Sequence, residues 1–593
     1  MIWIITALIF QKSLSLMSTK ADLLRAQFSL SKVLAVTNGT PIKGYLLPST
    51  DAHQSEYLAD HDFRVKFLTG FTGSNAYVAV TNEKAVLWTD GRYFTQASEQ
   101  LVPPFELLKQ GQPDSISVED FIAKELTVGD WIGIDPSLHT YEGGQQLIKT
   151  LESMGFHVAP IRGNLVDEFW NDRPSLPAKS PIILLPEEHG RCVKDKLKEL
   201  RERISNKKCN SIVLSALDDI MWLLNIRGFD IKHNPLAYSY LLVTTSEVHL
   251  FMDKANDEMR NYLEQENIVL HPYAEAYDFI SEWNRKQKSE NAQHRVFVPT
   301  STNYLFGSLF SSSSVVNGSP VQVMKGVKNR VELEGMRQSH IRDSATLVSF
   351  LMWIEAEMIE GRSHSEIDMA SKVDSLRAGT EKYVDLSFST ISAAGDHAAK
   401  PHYFPEGEEG KRLVTANQVY LLDSGAHYRD GTTDVTRTIW IARNSSVPDD
   451  FIQHNTLVLK GHINLANSVF PQAITASIGH RAVNTGSDYW VREGMVLTIE
   501  PGYYLVGKWG IRIENCYEVV KAKVPSGADF LGFRALTLVP IQTSIIDKSL
   551  LSPKEIEWLN AYHDEVLSTI GGYLQKTNKT KEFEWLKKQC AHI

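Results

Sequence analysis

The stretch "VYLLDSGAHYRDGTTDVTRTIWI" (419–441) has the pattern of a β-hairpin with one feature out of place. An apolar run ends, Arg429-Asp430-Gly431 supplies turn chemistry, and a β-branched run follows. Asp423 and Asp434 interrupt these two runs, nearly symmetrically about the turn. Antiparallel pairing would set the two carboxylates close together across the ladder. Two carboxylates side by side in an apolar setting repel one another unless a cation neutralises them. Taken alone, the hairpin also fits surface turn aspartates.

A second hairpin repeats the pattern. "MVLTIEPGYY" and "GIRIENCYEVV" flank "LVGKW", and Glu500 and Glu514 lie symmetrically about Gly507. Solvated faces do not account well for two such hairpins. Four convergent carboxylates can hold two divalent cations, with some carboxylates bridging them. Hard oxygen donors favour manganese, with zinc or cobalt as alternatives.

The rest of the chain supplies the frame for such a site. At 593 residues it exceeds one ordinary domain. A formal net charge of -10 without a long basic run argues against nucleic acid or an anionic membrane as partners. Cys192, Cys209, Cys516 and Cys590 are scattered with no CxxC pair, which suits a reducing compartment and argues against a disulfide framework or a thiolate zinc site. "MIWIITALIF" is too short to span a bilayer. It reads as an extension (1–16) ahead of a start near Met17, or as a weak secretion signal, in which case the sequons at Asn38, Asn317, Asn444 and Asn578 become relevant.

No short-period repeat is visible, and strand and helix patterns alternate as in a mixed α/β protein. "AYVAVT", "AVLWTDGRYF" and "WIGIDPSL" read as buried strands of a first region, 17–160. "NLVDEFWNDRPSLP" reads as a crossing into a second alternating region, 161–323. A third, 324–593, opens on a long helix with apolar Met336, Ile341, Leu347, Phe350 and Leu351. It closes on a helix with a capping box at Ser552 and Glu555, and Trp558, Leu559 and Tyr562 are expected in its core.

With the acidic hairpins, "GFTGSNA", "WTDGRYF", "NLVDEFWNDRP", "ALDDIMWLLNIRGFDIKHNP", "EGMRQSHIRD" and "LTLVPIQTSIID" resemble the large, three-domain eukaryotic Xaa-Pro aminopeptidases (aminopeptidase P) from about residue 18 to the C-terminus. The resemblance implies two creatinase-like α/β domains ahead of a pita-bread metallopeptidase domain. It also implies a cytosolic homodimer, two divalent metals (often manganese), and removal of one residue from peptides with proline second. Matched by motif, Asp423 would chelate one metal, Asp434 and Glu514 would bridge both, and Glu500 would bind the other. A hydroxide between the metals would attack the scissile carbonyl, with Glu500 shuttling its proton. His402, in "PHY", matches a histidine beside the substrate.

One expected part is missing. Members of the family follow "VFP" with a helix and a strand carrying "HGTGHGVG", the source of the histidine ligand, and then a "HEGP"-type segment with another catalytic histidine. Here Phe470-Pro471 runs almost directly into Ile478-Gly479-His480-Arg481, and neither motif occurs anywhere in the chain. The peptidase domain therefore reads as incomplete near 471–478. Intact flanks point to a skipped exon or a misjoined coding sequence rather than gradual decay. His480 is a weak substitute ligand, because a rewired site needs its own supporting shell. His462 reads as a structural helix residue, and His427 reaches the face of Asp423 only if no bulge intervenes. A variant that retains dimerisation or peptide binding without cutting is the alternative function.

Overall fold

The computed structural model describes residues 19–593 except 178, 292, 444–445, 472–474, 477–488 and 524–528. The extension 1–16, Asn444, His480 and most of the junction after Pro471 lie outside the described residues.

The buried strand patterns of the first region become Tyr77–Thr81, Ala85–Thr89 and Trp131–Ile134. They join Gly44–Pro48, Glu106–Lys109 and His157–Pro160 in one six-stranded sheet. Gly44–Pro48 is central: an antiparallel meander runs to one side of it, and parallel strands returning through helices lie on the other. Apolar residues on both faces are buried under those helices, as continuous apolar runs require.

The second region forms another six-stranded sheet with the same connectivity. Ser211–Leu214 is its central strand, Tyr240–Thr244 and Val248–Phe251 make the antiparallel meander, and Val296–Pro299 returns parallel. The crossing segment is less polar in the fold than in the sequence. Leu165 and Val166 are buried, and Asp167 pairs with Arg64 and Arg173.

The third region opens on the helix Arg330–Ile359, capped by Asn329 and Glu332. Leu347, Phe350 and Leu351 are buried as expected, but Met336 and Ile341 are only partly so. Its first half instead buries His340, Arg342 and Asp343, because this face packs on polar partners: Asp343 pairs with Arg377 and Arg342 with Asp430. The helix Pro553–Lys576 carries the expected capping box, with Leu559 and Tyr562 buried and Trp558 partly buried, but it does not close the chain: a further helix, Thr580–Gln589, follows and buries Leu586 in the same core. Between these helices lie two small antiparallel sheets, Ile391–Ala394/Val419–Ser424/Val435–Trp440 and Phe470–Pro471/Phe530–Ala535/Asn515–Ala522/Val496–Ile499. No helix among the described residues is long and apolar enough to cross a membrane.

Candidate metal centre

Both acidic hairpins form, and each keeps one register from end to end. In the first, Val419–Ser424 pairs with Val435–Trp440, and the same register continues to Tyr428↔Gly431, leaving Arg429-Asp430 as the turn. Asp423 lies opposite Thr436, so Asp434 is its diagonal neighbour on the same face. The ladder is interrupted between its two paired stretches, and Gly425 fills the gap. A Cβ there would run into the Thr433 carbonyl oxygen.

The second hairpin turns about Gly507, which has a φ of 76°. Gly502–Leu505 pairs with Trp509–Arg512, and Val496–Ile499 pairs with the start of Asn515–Ala522 in the same register. Between Ile499↔Asn515 and Gly502↔Arg512 this ladder is also interrupted, and Glu500 and Glu514 face each other at the break. The hairpins join where the Glu514 amide donates to the Thr436 carbonyl at 3.2 Å. The Thr436 hydroxyl donates to Glu514 Oε2 at 2.7 Å.

The join brings Asp423, Asp434 and Glu514 together, each offering one oxygen within 4.8 Å of the others. It is the one group of three or more potential metal ligands among the described residues, and it contains no histidine. Glu500 is not in it. Glu500 lies past the last paired residue of its strand and is exposed, although its charge still acts on Asp434 and Glu514. The sequence placed four carboxylates in one site, and the structure brings three of them into a common ligand sphere.

Burial first, then the charges of Asp423 and Glu500, holds the Asp434 carboxyl well above the usual range. Burial and then Asp434, Asp423 and Glu500 do the same to Glu514. Arg512 partly offsets this repulsion, and Arg377 does so to a smaller extent at Asp434. Arg512 Nη2 donates to Asp423 Oδ2 at 2.6 Å and Arg512 Nε to the Thr436 hydroxyl at 3.0 Å. Asp423 Oδ1 and Asp434 Oδ1 are buried without any hydrogen-bond partner. Paired orphan acceptors beside a third buried carboxylate are the donor set that hard divalent cations take, so these residues fit such ions.

The histidines separate. His462 is fully buried, with Nδ1 against the Ile513 carbonyl and Nε2 against the Tyr517 hydroxyl, and burial lowers its pKa to about 4. His427 is held by the Thr432 hydroxyl and the His233 carbonyl, past the interruption at Gly425. His402 lies on the loop after the turn Gly395–Ala399, with its ring centroid 5.3 Å from that of Tyr93. Sequence reasoning missed Arg512 and Thr436; both sit at the centre of the site in "GIRIEN" and "DVTRT", but neither type advertises a role without its partners in view.

Known proteins bear directly on this arrangement. Models of the creatinase/prolidase N-terminal domain match residues 49–166 and 172–332. The metallopeptidase family M24 matches 334–489 and, as a second segment, 482–521, and the C-terminal region of that family matches 529–593. The chain is 51% identical to Xaa-Pro aminopeptidase app-1 of Caenorhabditis elegans, covering 96% of this chain and 98% of the relative. That alignment runs over 612 residues, more than the 593 of this chain, so the relative carries residues with no counterpart here. Xaa-Pro aminopeptidase ApepP of Drosophila melanogaster is 35% identical over 93% of this chain and 96% of its own. The crystal structure of an X-prolyl aminopeptidase from C. elegans, described as a cytosolic enzyme with a di-nuclear active site, superposes with a TM-score of 0.93 at 50% identity. It covers 97% of this chain and 99% of that one. The chain therefore belongs to the Xaa-Pro aminopeptidase family of M24 metallopeptidases, with creatinase-type N-terminal domains ahead of a pita-bread peptidase domain.

Proposed function

We propose that this chain is a metal-dependent aminopeptidase that releases the N-terminal residue from peptides with proline in second position. The observation that carries the reading is the Asp423/Asp434/Glu514 group with its two orphan oxygens, in a chain half identical to such an enzyme along nearly its whole length. Two divalent cations, when bound there, supply Lewis acidity toward the scissile carbonyl and toward a water. Manganese is the ion that the oxygen donors suit best, with zinc or cobalt as alternatives.

In this reading Asp423, Asp434 and Glu514 hold the ions, and Glu500, exposed at the edge of the group, completes the set and carries a proton to and from the reacting water. Arg512 pairs with Asp423 and offsets part of the repulsion among the carboxylates. His402 touches the substrate. The chain divides into an extension at 1–16, N-terminal domains at 17–160 and 161–323 and the peptidase domain at 324–593. It acts as a cytosolic homodimer, in keeping with four free cysteines and with the cytosolic C. elegans structure.

A second reading has its own support. The ligand group contains no histidine among the described residues, and both histidine motifs are missing from the sequence. A chain of this kind keeps its carboxylates and binds metal and peptide, but turns over slowly or not at all. One experiment separates the two: the purified full chain is loaded with manganese and offered an Arg-Pro-Pro peptide. Release of arginine, abolished by a chelator, establishes the first. Bound manganese without release establishes the second, and failure to bind manganese at all refutes both.

A further inference from the structure

The backbone around His402 is fastened from within the peptidase domain. Glu366, fully buried at the start of helix Glu366–Ala378, accepts from the Ala394 amide at 2.7 Å and the Tyr403 hydroxyl at 2.6 Å. Its carboxylate also meets His397 Nδ1 at 2.9 Å. On the other side, Arg512 Nη1 donates to the Pro401 carbonyl at 3.4 Å, and the same guanidinium holds Asp423. These bonds tie the segment 394–403 to the carboxylate group, but they do not orient the His402 ring.

That ring meets the N-terminal domain. Tyr93, 3% exposed, follows strand Ala85–Thr89, and its ring is tilted 42° to that of His402. Tyr93 is itself fixed. Its hydroxyl lies 2.7 Å from the Ser74 hydroxyl, and its ring stands edge-on to Phe71 at 5.8 Å. The Arg92 guanidinium, clamped by Asp90, lies 5.1 Å from the ring centroid. An ion pair between Lys400 and Glu99, at 3.0 Å, crosses the same boundary. Aromatic pairs at this separation have an orientation preference, so a fixed ring on one side restricts the ring on the other.

We infer that Tyr93 is a positioning residue for His402: the N-terminal domain sets the imidazole that the peptide meets, and the substrate site is a joint product of two domains. This rests on His402 touching substrate, as proposed above. The test uses the manganese-loaded full chain and an uncleavable probe, an Arg-Pro-Pro tripeptide with its first carbonyl reduced to CH2, which leaves a CH2–N bond to the proline nitrogen. Binding of probe and of manganese is measured by calorimetry for wild type, Tyr93→Phe, Tyr93→Leu, His402→Ala and the Tyr93→Leu/His402→Ala double variant. The expected result is probe affinity within twofold of wild type for Tyr93→Phe and reduced roughly tenfold or more for Tyr93→Leu. Manganese affinity stays unchanged, and the double variant binds no worse than His402→Ala. Wild-type probe affinity in Tyr93→Leu, independent effects that multiply in the double variant, or a parallel loss of manganese affinity each overturn the inference. If Tyr93→Leu does not fold, Tyr93→Met carries the same test. A wild type that binds manganese but no probe removes the functional reading itself, and the inference with it.

Discussion

Without metal, the carboxylate group contributes a pH dependence of defined sign. Asp434 and Glu514 have folded-state pKa values raised above their unfolded values near 4. A raised carboxyl binds its proton more tightly when folded, so the folded state holds more protons and stability falls as pH rises toward the folded value. Each proton retained in this way costs about 1.4 kcal/mol per pH unit. As pH rises above 6.5, this term therefore lowers the stability of the metal-free protein, by at most about 1.4 kcal/mol per pH unit for each proton still retained, and lowers its Tm with it. Buried His427, His462 and His563, lowered to about 4, act in the opposite direction below pH 6.5, and buried Lys196 and Lys328, lowered to about 7 and about 8, do so above it, so the carboxylate contribution is read from the difference between metal-free and metal-loaded protein, in which these groups cancel. Divalent cation replaces those protons and reverses the trend, adding about 2.7 kcal/mol per site at a hundredfold excess over Kd. The assay is thermal unfolding in chelator and in saturating manganese at several pH values. The gap between the curves is expected to widen with pH, and Asp434→Asn is expected to flatten the metal-free curve. A gap that is independent of pH, or that narrows as pH rises, would refute the reasoning.

Three further outcomes follow from the site. Gly425→Ala forces the Thr433 carbonyl aside; chemical denaturation is expected to show a loss of roughly 1–3 kcal/mol, and calorimetry weaker manganese binding as Asp434 moves. Arg437→Met strips donors from six buried acceptors, among them the Glu514, Val539 and Pro540 carbonyls, which is expected to cost at least about 3 kcal/mol in urea unfolding. Inserting the corresponding segment of the C. elegans enzyme between Pro471 and Ile478 is expected to raise the rate on an Arg-Pro-Pro peptide about a hundredfold or more; an unchanged rate would show that another group already does the work of the histidines.

Much of this site is legible in one chain because hairpins obey simple geometry. Symmetry about Gly507 gives the true register of the second hairpin, and the polar turn Arg429-Asp430 gives that of the first. Alternation then puts Asp423 and Asp434 on one face. Glu500 shows where such reasoning stops. Symmetry places it across from Glu514, but the ladder breaks at that point, and a side chain beside a break is not bound to its strand's face. Arg512 and Thr436 escape notice for a different reason, since their roles exist only once the two hairpins share an edge. In the long helix, spacing finds the apolar half and misses the polar half, because burial there is set by the ion pairs of Asp343 and Arg342 rather than by hydrophobicity.

The two N-terminal sheets share their connectivity strand for strand. The same connectivity serves different ends in the two. In the first, the turn after the third strand carries Arg92 and Tyr93 toward the peptidase domain. In the second, the matching turn is spent at home, where Asp253 accepts from the Tyr273 amide and the Asn256 amide donates to Ser180. The same turn of one topology thus meets the peptidase domain in the first sheet and its own domain in the second. Comparing the two turns across relatives would then reveal unequal evolutionary rates, slower at the turn that faces His402.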